Sequence, residues 1–269
     1  MTDQEPTTRL LRRLDDIAAG LDASGRALAL LGLGSVGAEL DRLDRHSDLD
    51  FFVVAREGQV GALLDDLSWL GDGLTCAFRN TGDGFKVLFE GGVYGEFAVF
   101  SEAQLRSAAF INARVIWLAP DAPTDLPLHV RPPGSAGRLS AAQRTHHLGE
   151  ALTNLLVGVR RFERGERLSA WQFTQVYALG HALALAADAA PAAPGHADPF
   201  SVERRFEQRY PALAGRLAAC LPGVAGTPGA ALATLQWLED LKLPGWPDVQ
   251  ALAEQVRGEA HAALERAAP

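Results

Sequence analysis

The spacing of apolar residues divides the chain into two parts of different character. In the first part, short apolar runs alternate with helical stripes. Leu10, Leu11, Leu14, Ile17 and Leu21 recur at helical spacing and predict an amphipathic helix over 8–21. Apolar runs at 27–33, 51–55, 74–78, 85–89, 93–100 and 114–118 predict strands. Glu90-Gly91-Gly92 between two of them reads as a hairpin turn. Val60, Leu63, Leu64, Leu67 and Leu70 predict a helix over 60–70, and a short helix is expected at 102–110. The segment 36–43 is a further candidate helix. The expected fold is α+β, with a mixed sheet of five or six strands in the N-terminal domain.

Pro120, Pro123, Pro127, Pro132 and Pro133, with Gly134 and Gly137, cannot continue a helix and favour extended chain. They place a linker at 120–137, between a first domain at 1–119 and a helical domain at 138–269. Helices are expected there at 140–164, capped by Ser140, and at 169–187, capped by Ser169. Others are expected at 202–217, 229–241 and 249–266. The Ala/Pro/Gly-rich stretch 188–199 reads as a mobile loop, with His196 as filler.

The stretch LGLGSVGAELDRLDRHSDLDFFVV, residues 31–54, carries the candidate chemistry. Gly34 lets backbone approach a ligand, and turn N–H groups favour phosphate oxygens. Ser35 adds a hydroxyl. Asp48 and Asp50, two apart at the entrance of a strand, point to one side. Two adjacent carboxylates repel unless positive charge lies nearby, and Mg²⁺ suits such a pair together with substrate phosphates. Farther on, Glu96 is the charged residue of VYGEFAVF, and a carboxylate inside an apolar strand is costly unless paired. Lys86, on the neighbouring strand, is a candidate partner for Glu96 or for a phosphate.

Leu33-Gly34-Ser35, the spacer 36–47 and Asp48-Leu49-Asp50-Phe51 resemble the signature of the DNA polymerase beta-like nucleotidyltransferases. Ser47 before Asp48 is similar to the bacterial branch that modifies lincosamide or aminoglycoside antibiotics, as is the order of an α+β domain followed by helices. Glu39 departs from that branch, where a basic or small residue is frequent. The resemblance implies transfer of a nucleoside monophosphate from a nucleoside triphosphate to a hydroxyl acceptor, with Mg²⁺ as cofactor. It implies Asp48, Asp50 and Glu96 as catalytic and metal-binding residues, Glu96 either as ligand or as proton acceptor. It implies Gly34, Ser35, Arg45, Ser47 and Lys86 as nucleotide contacts, with Arg42 a further candidate. The acceptor would lie in a cleft between the domains. Glu150, Arg160, Arg161, Glu163 and Glu166 are the nearest candidates to face it, although a solvated helix face explains most of them.

Hydrophobic residues make up 48% and charged residues 22% of the 269, a globular composition. No apolar run is long enough to span a bilayer, and the N-terminus lacks the apolar core of a signal peptide, so a cytoplasmic enzyme is expected. Cys76 and Cys220 stand in no metal or redox pattern and are expected to be buried thiols. The net charge of −8 argues against a broad nucleic-acid footprint. A homodimer is compatible with the sequence. His146 and His147, adjacent on a helix, point in different directions and are expected at the surface or the core edge. Three other readings stay open. They are a toxin–antitoxin or signalling nucleotidyltransferase acting on protein or RNA, an inactive nucleotide-binding module, and a chance motif in a helical adaptor.

Overall fold

The computed structural model describes residues 4–130, 138–195, 198 and 200–267. The chain forms two compact units, Met1–Pro133 and Gly134–Pro269. The first has α1 (Gln4–Ser24), α2 (Val60–Asp65), α3 (Glu102–Ser107) and six strands. The strands are β1 (Ala27–Gly32), β2 (Leu49–Ala55), β3 (Leu74–Arg79), β4 (Gly84–Phe89), β5 (Val93–Phe100) and β6 (Arg114–Leu118). They form one mixed sheet in the order β3-β4-β5-β2-β1-β6. β2 and β5 are parallel, and the other pairs are antiparallel. The fold is α+β, as the alternation of patterns predicts.

Strand alternation builds two cores from one sheet. Leu49, Phe51 and Val53 of β2 join Phe97 and Val99 of β5 and Leu10, Leu14, Ile17 and Leu21 of α1 on one face. Phe97 is the hub there, stacked on Phe51 at 5.2 Å and edge-on to Trp69 at 5.1 Å. On the other face Ala29, Leu31 and Val54 pack with Leu105 of α3 and with Phe110. That cover stops short of Asp50 and Glu96, which share its face.

Several expectations are corrected. Segment 36–43 is not a helix: 3-10 turns at Gly34–Val36 and Leu40–Arg42 replace it. The 60–70 stripe is α2 followed by a 3-10 turn at Ser68–Leu70, where the indole of Trp69 donates to the Leu63 carbonyl. Cys76 is exposed, because β3 lies at the sheet edge; Cys220 is buried.

The second unit contains α4 (Ala141–Glu163), α5 (Arg167–Trp171), α6 (Leu179–Ala189), α7 (Thr227–Asp240) and α8 (Trp246–Ala267). Ser140 caps α4 in a capping box with Gln143. Ser169 is not a cap. It lies inside α5, which runs through a π-helical segment, Gln172–Ala178, into α6. Gly158 of α4 allows the close approach of that segment, since a Cβ there would meet the Thr174 hydroxyl at 2.1 Å. Stretch 202–217 is not one helix but short turns, with Pro211 at the start of the second. Asp188 is not in a loop. It is helical, and its carboxylate accepts from Leu139 N–H at 2.8 Å and from Arg144 at 2.7 Å. His196 and linker residues 131–137 lie outside the described residues.

Three imidazoles meet between α4 and α6. His147 Nδ1 lies 2.9 Å from His181 Nδ1, and the His146 ring stands 5.8 and 5.9 Å from the other two. One shared hydrogen bond requires one N–H and one lone pair, so the pair is incompatible with full protonation. Burial pushes His147 below the ordinary histidine range, helped by His181 and His146. Burial also lowers His181, opposed by Glu150 and reinforced by His146. The unfolded chain therefore binds more protons near pH 6.5 than the folded chain does, and stability must rise with pH there. The melting temperature is expected to fall as pH drops from about 7.5 to about 5.5, and His147→Gln is expected to flatten that slope. A wild-type slope equal to that of the variant in a pH series of thermal melts would contradict this.

Candidate active site

The Gly-Ser turn is fixed from two directions. Gly34 has φ +53°, in the left-handed region open to glycine, and a Cβ there would stand 3.6 Å from Asp50 Oδ2. The preceding Leu33 N–H donates to the Asp50 carbonyl at 2.7 Å, which ties the turn to the start of β2. Behind it, the Arg114 guanidinium of β6 donates to the carbonyls of Val36 at 3.0 Å and Gly37 at 3.1 Å. Occupied carbonyls hold the turn in one conformation. The sequence reading missed Arg114, which lies far along the chain and in no motif.

The spacer is anchored by the residue that departs from the antibiotic-modifying pattern. Glu39 is 3% exposed, pairs with Arg42 and accepts from Asn112 Nδ2 at 3.2 Å. Arg42 is thereby drawn into a structural pair. Ser47 Oγ accepts from Asp44 N–H at 3.0 Å and Arg45 Nε contacts His46 Nε2 at 2.9 Å, so both belong to the local turn before Asp48. Ser35 sits in the 3-10 turn beside Gly34.

Strand register places the remaining candidates in one row. Asp50 is the cross-strand partner of Glu96, and Glu96 that of Lys86. Lys86 Nζ lies 3.6 Å from Glu96 Oε2, with both side chains 43% exposed, so the pair adds little stability. Asn80, just after β3, donates from Nδ2 to Glu96 Oε1 at 2.8 Å, a second contact that the sequence did not reveal. Asp48 lies just outside β2, two residues before Asp50 and separated from it by the fully buried Leu49.

Among the described residues, no three His, Cys, Asp or Glu side chains are gathered closely enough to hold a metal ion. The carboxylate chemistry nevertheless fits a hard divalent cation. The Gly34 turn lies against Asp50, where an added Cβ would stand in ordinary contact with Oδ2 at 3.6 Å. Asp48 and Asp50 are the pair that would hold such an ion. Glu96 already has Asn80 and Lys86 for partners.

The charged candidates of the helical unit are engaged within it. Arg160 binds Glu259 at 2.7 Å, Glu163 pairs with Arg266, and Arg161 stacks over Phe173 at 4.5 Å and contacts Ser169 and Glu166. Glu150 contacts Asn154 at 3.5 Å. Arg160 and Glu163 join α4 to α8, Arg161 joins α4 to the segment that follows it, and the Glu150 contact stays within α4.

No family model matches the chain, and no curated protein matches it in sequence. Among solved structures, it is similar to the crystal structure of an aminoglycoside 6-adenyltransferase from Bacillus subtilis. The identity is 11%, over 99% of this chain and 97% of that one, with a TM-score of 0.39. At that level of likeness no residue role passes from one protein to the other. No helix among the described residues is long and apolar enough to cross a membrane.

Gly34→Ala is expected to cost about 1–2 kcal/mol, the left-handed penalty of an L-residue. Gly61→Ala in α2, with no heavy atom near the added Cβ, should be neutral or stabilising. Urea denaturation midpoints test the contrast. Equal midpoints for the two variants would show that the turn is not held in this conformation.

Proposed function

We propose that the chain is a nucleotidyltransferase that moves a nucleoside monophosphate from a nucleoside triphosphate to a hydroxyl of a small, antibiotic-like molecule. One observation carries this reading: a left-handed glycine turn stands against Asp50, which shares a strand row with Glu96 and Lys86. A glycine turn, two carboxylates and a cation lie close enough along the sheet to support such roles.

In the proposed reaction the acceptor oxygen attacks the α-phosphorus, and the bond from that phosphorus to the bridging oxygen of pyrophosphate breaks. The hydroxyl proton goes to the Glu96 carboxylate, and pyrophosphate leaves with the bridging oxygen. The N–H groups around Gly34 and Ser35 hold the outer phosphates. Lys86 offsets negative charge on the side of Glu96. Asn80 fixes the Glu96 carboxylate by binding one of its oxygens. A Mg²⁺ ion held by Asp48 and Asp50 would neutralise triphosphate oxygens as charge moves to the leaving group. Arg45 and Ser47, engaged in the turn before Asp48, act through the shape of that turn.

The test is transfer of label from α-phosphate-labelled ATP, GTP, CTP and UTP to a panel of aminoglycosides, lincosamides and simpler polyols. Asp48→Asn and Asp50→Asn are each expected to lower transfer about a thousandfold while leaving the circular dichroism spectrum unchanged. Undiminished transfer by either variant would remove the assignment.

A further inference from the structure

β3 is the terminal strand of the six-stranded sheet, so one row of its backbone N–H and C=O groups has no strand beside it among the described residues. Edge strands of this kind are normally blunted by proline, lysine, a bulge or a cover; β3 has a register shift between Leu74 and Cys76 and pairs regularly from Cys76 to Arg79. Leu-Thr-Cys-Ala-Phe-Arg carries one charge, Arg79, at its last position. Every residue of β3 after Leu74 is exposed, and Phe78 is 62% exposed. The register extends this apolar surface inward, because Cys76 pairs with Leu88 and Leu88 with Tyr94. Leu88 is 40% and Tyr94 38% exposed. A strand edge with open hydrogen-bonding groups is therefore bordered by exposed apolar side chains on one face.

The charges at its two ends are opposite. Exposed Asp72 precedes the strand and exposed Arg79 closes it. A strand with an acid at one end and a base at the other is complementary to itself when a second copy runs antiparallel to it. That arrangement lays Phe78 of each copy toward Cys76 of the other, on the face opposite Leu74, which the register shift before Cys76 turns to the core, and it brings Arg79 of each copy to the end marked by Asp72 of the other. A two-fold axis perpendicular to the sheet keeps like faces together, so the two sheets continue into one.

We propose that two copies of this chain associate by antiparallel pairing of β3 with β3, with Phe78 as the apolar anchor and Asp72–Arg79 as the ion pair that sets direction. The claim goes beyond the transferase reading and does not depend on it.

Sedimentation velocity of the full chain from about 1 to about 100 µM covers the range expected for a small interface. A concentration-dependent dimer is expected, and Phe78→Glu should raise its dissociation constant about tenfold or more. Arg79→Asp should weaken it, and adding Asp72→Arg in the same chain should restore it. A short bis-maleimide should join two chains through Cys76, since Cys220 is buried, and Cys76→Ser should abolish the link. A monomer throughout the range overturns the proposal. So does a dimer that Phe78→Glu leaves intact and that the bis-maleimide does not join.

Discussion

Parallel pairing of β2 with β5 sets Asp50 beside Glu96, and a slip of one residue would turn one of the two carboxylates into the aromatic core packed with α1. That core keeps the register. Phe51 and Phe97 are themselves cross-strand partners and stack at 5.2 Å on the opposite face of the sheet. Burial on one face thus fixes which side chains meet on the other. Lys86 joins the row because Phe85 stacks on Phe97 at 5.7 Å, one position along, in the same core. The site is a consequence of apolar packing that none of its own residues makes.

The turn and spacer depend on a second constraint, the closure of the loop between β1 and β2. Glu39 is buried, and a buried carboxylate must be paired. Arg42 and Asn112 supply the partners, and Asn112 itself adopts φ +54°. Its carbonyl accepts from Ala38 N–H at 2.9 Å. With Arg114 on the carbonyls of Val36 and Gly37, the segment before β6 holds the loop from behind. The backbone N–H groups around Gly34 are positioned by residues nearly eighty places away in the chain.

How much of this was legible follows from the range of each interaction. The six strands and the first helix show in the apolar spacing, because one buried face imposes a period of 2 or 3.6. Gly34, Asp50, Glu96 and Lys86 could be singled out by residue type, and the register brings the last three into one row. Spacing could not distinguish a buried strand from an edge strand, so Cys76 was expected inside. The helix expected at 36–43 failed because Glu39 and Arg114 impose tertiary bonds that outweigh local propensity. Asn80, Arg114 and His181 carry no local signal; each matters through a partner distant in the sequence. The short turns after residue 205 replace one helix where Pro211 interrupts the backbone bonding.

The central claim is that the Gly34 turn and the Asp48/Asp50 pair form one triphosphate site. A thermal shift with ATP, GTP, CTP and UTP, each with and without Mg²⁺, on wild type and Asp50→Asn tests it most directly. A ligand that binds the native state alone raises the melting temperature by mass action. The account predicts a Mg²⁺-dependent rise with at least one nucleotide and its loss in Asp50→Asn. No rise with any nucleotide at millimolar concentration, or an equal rise in the variant, would contradict it.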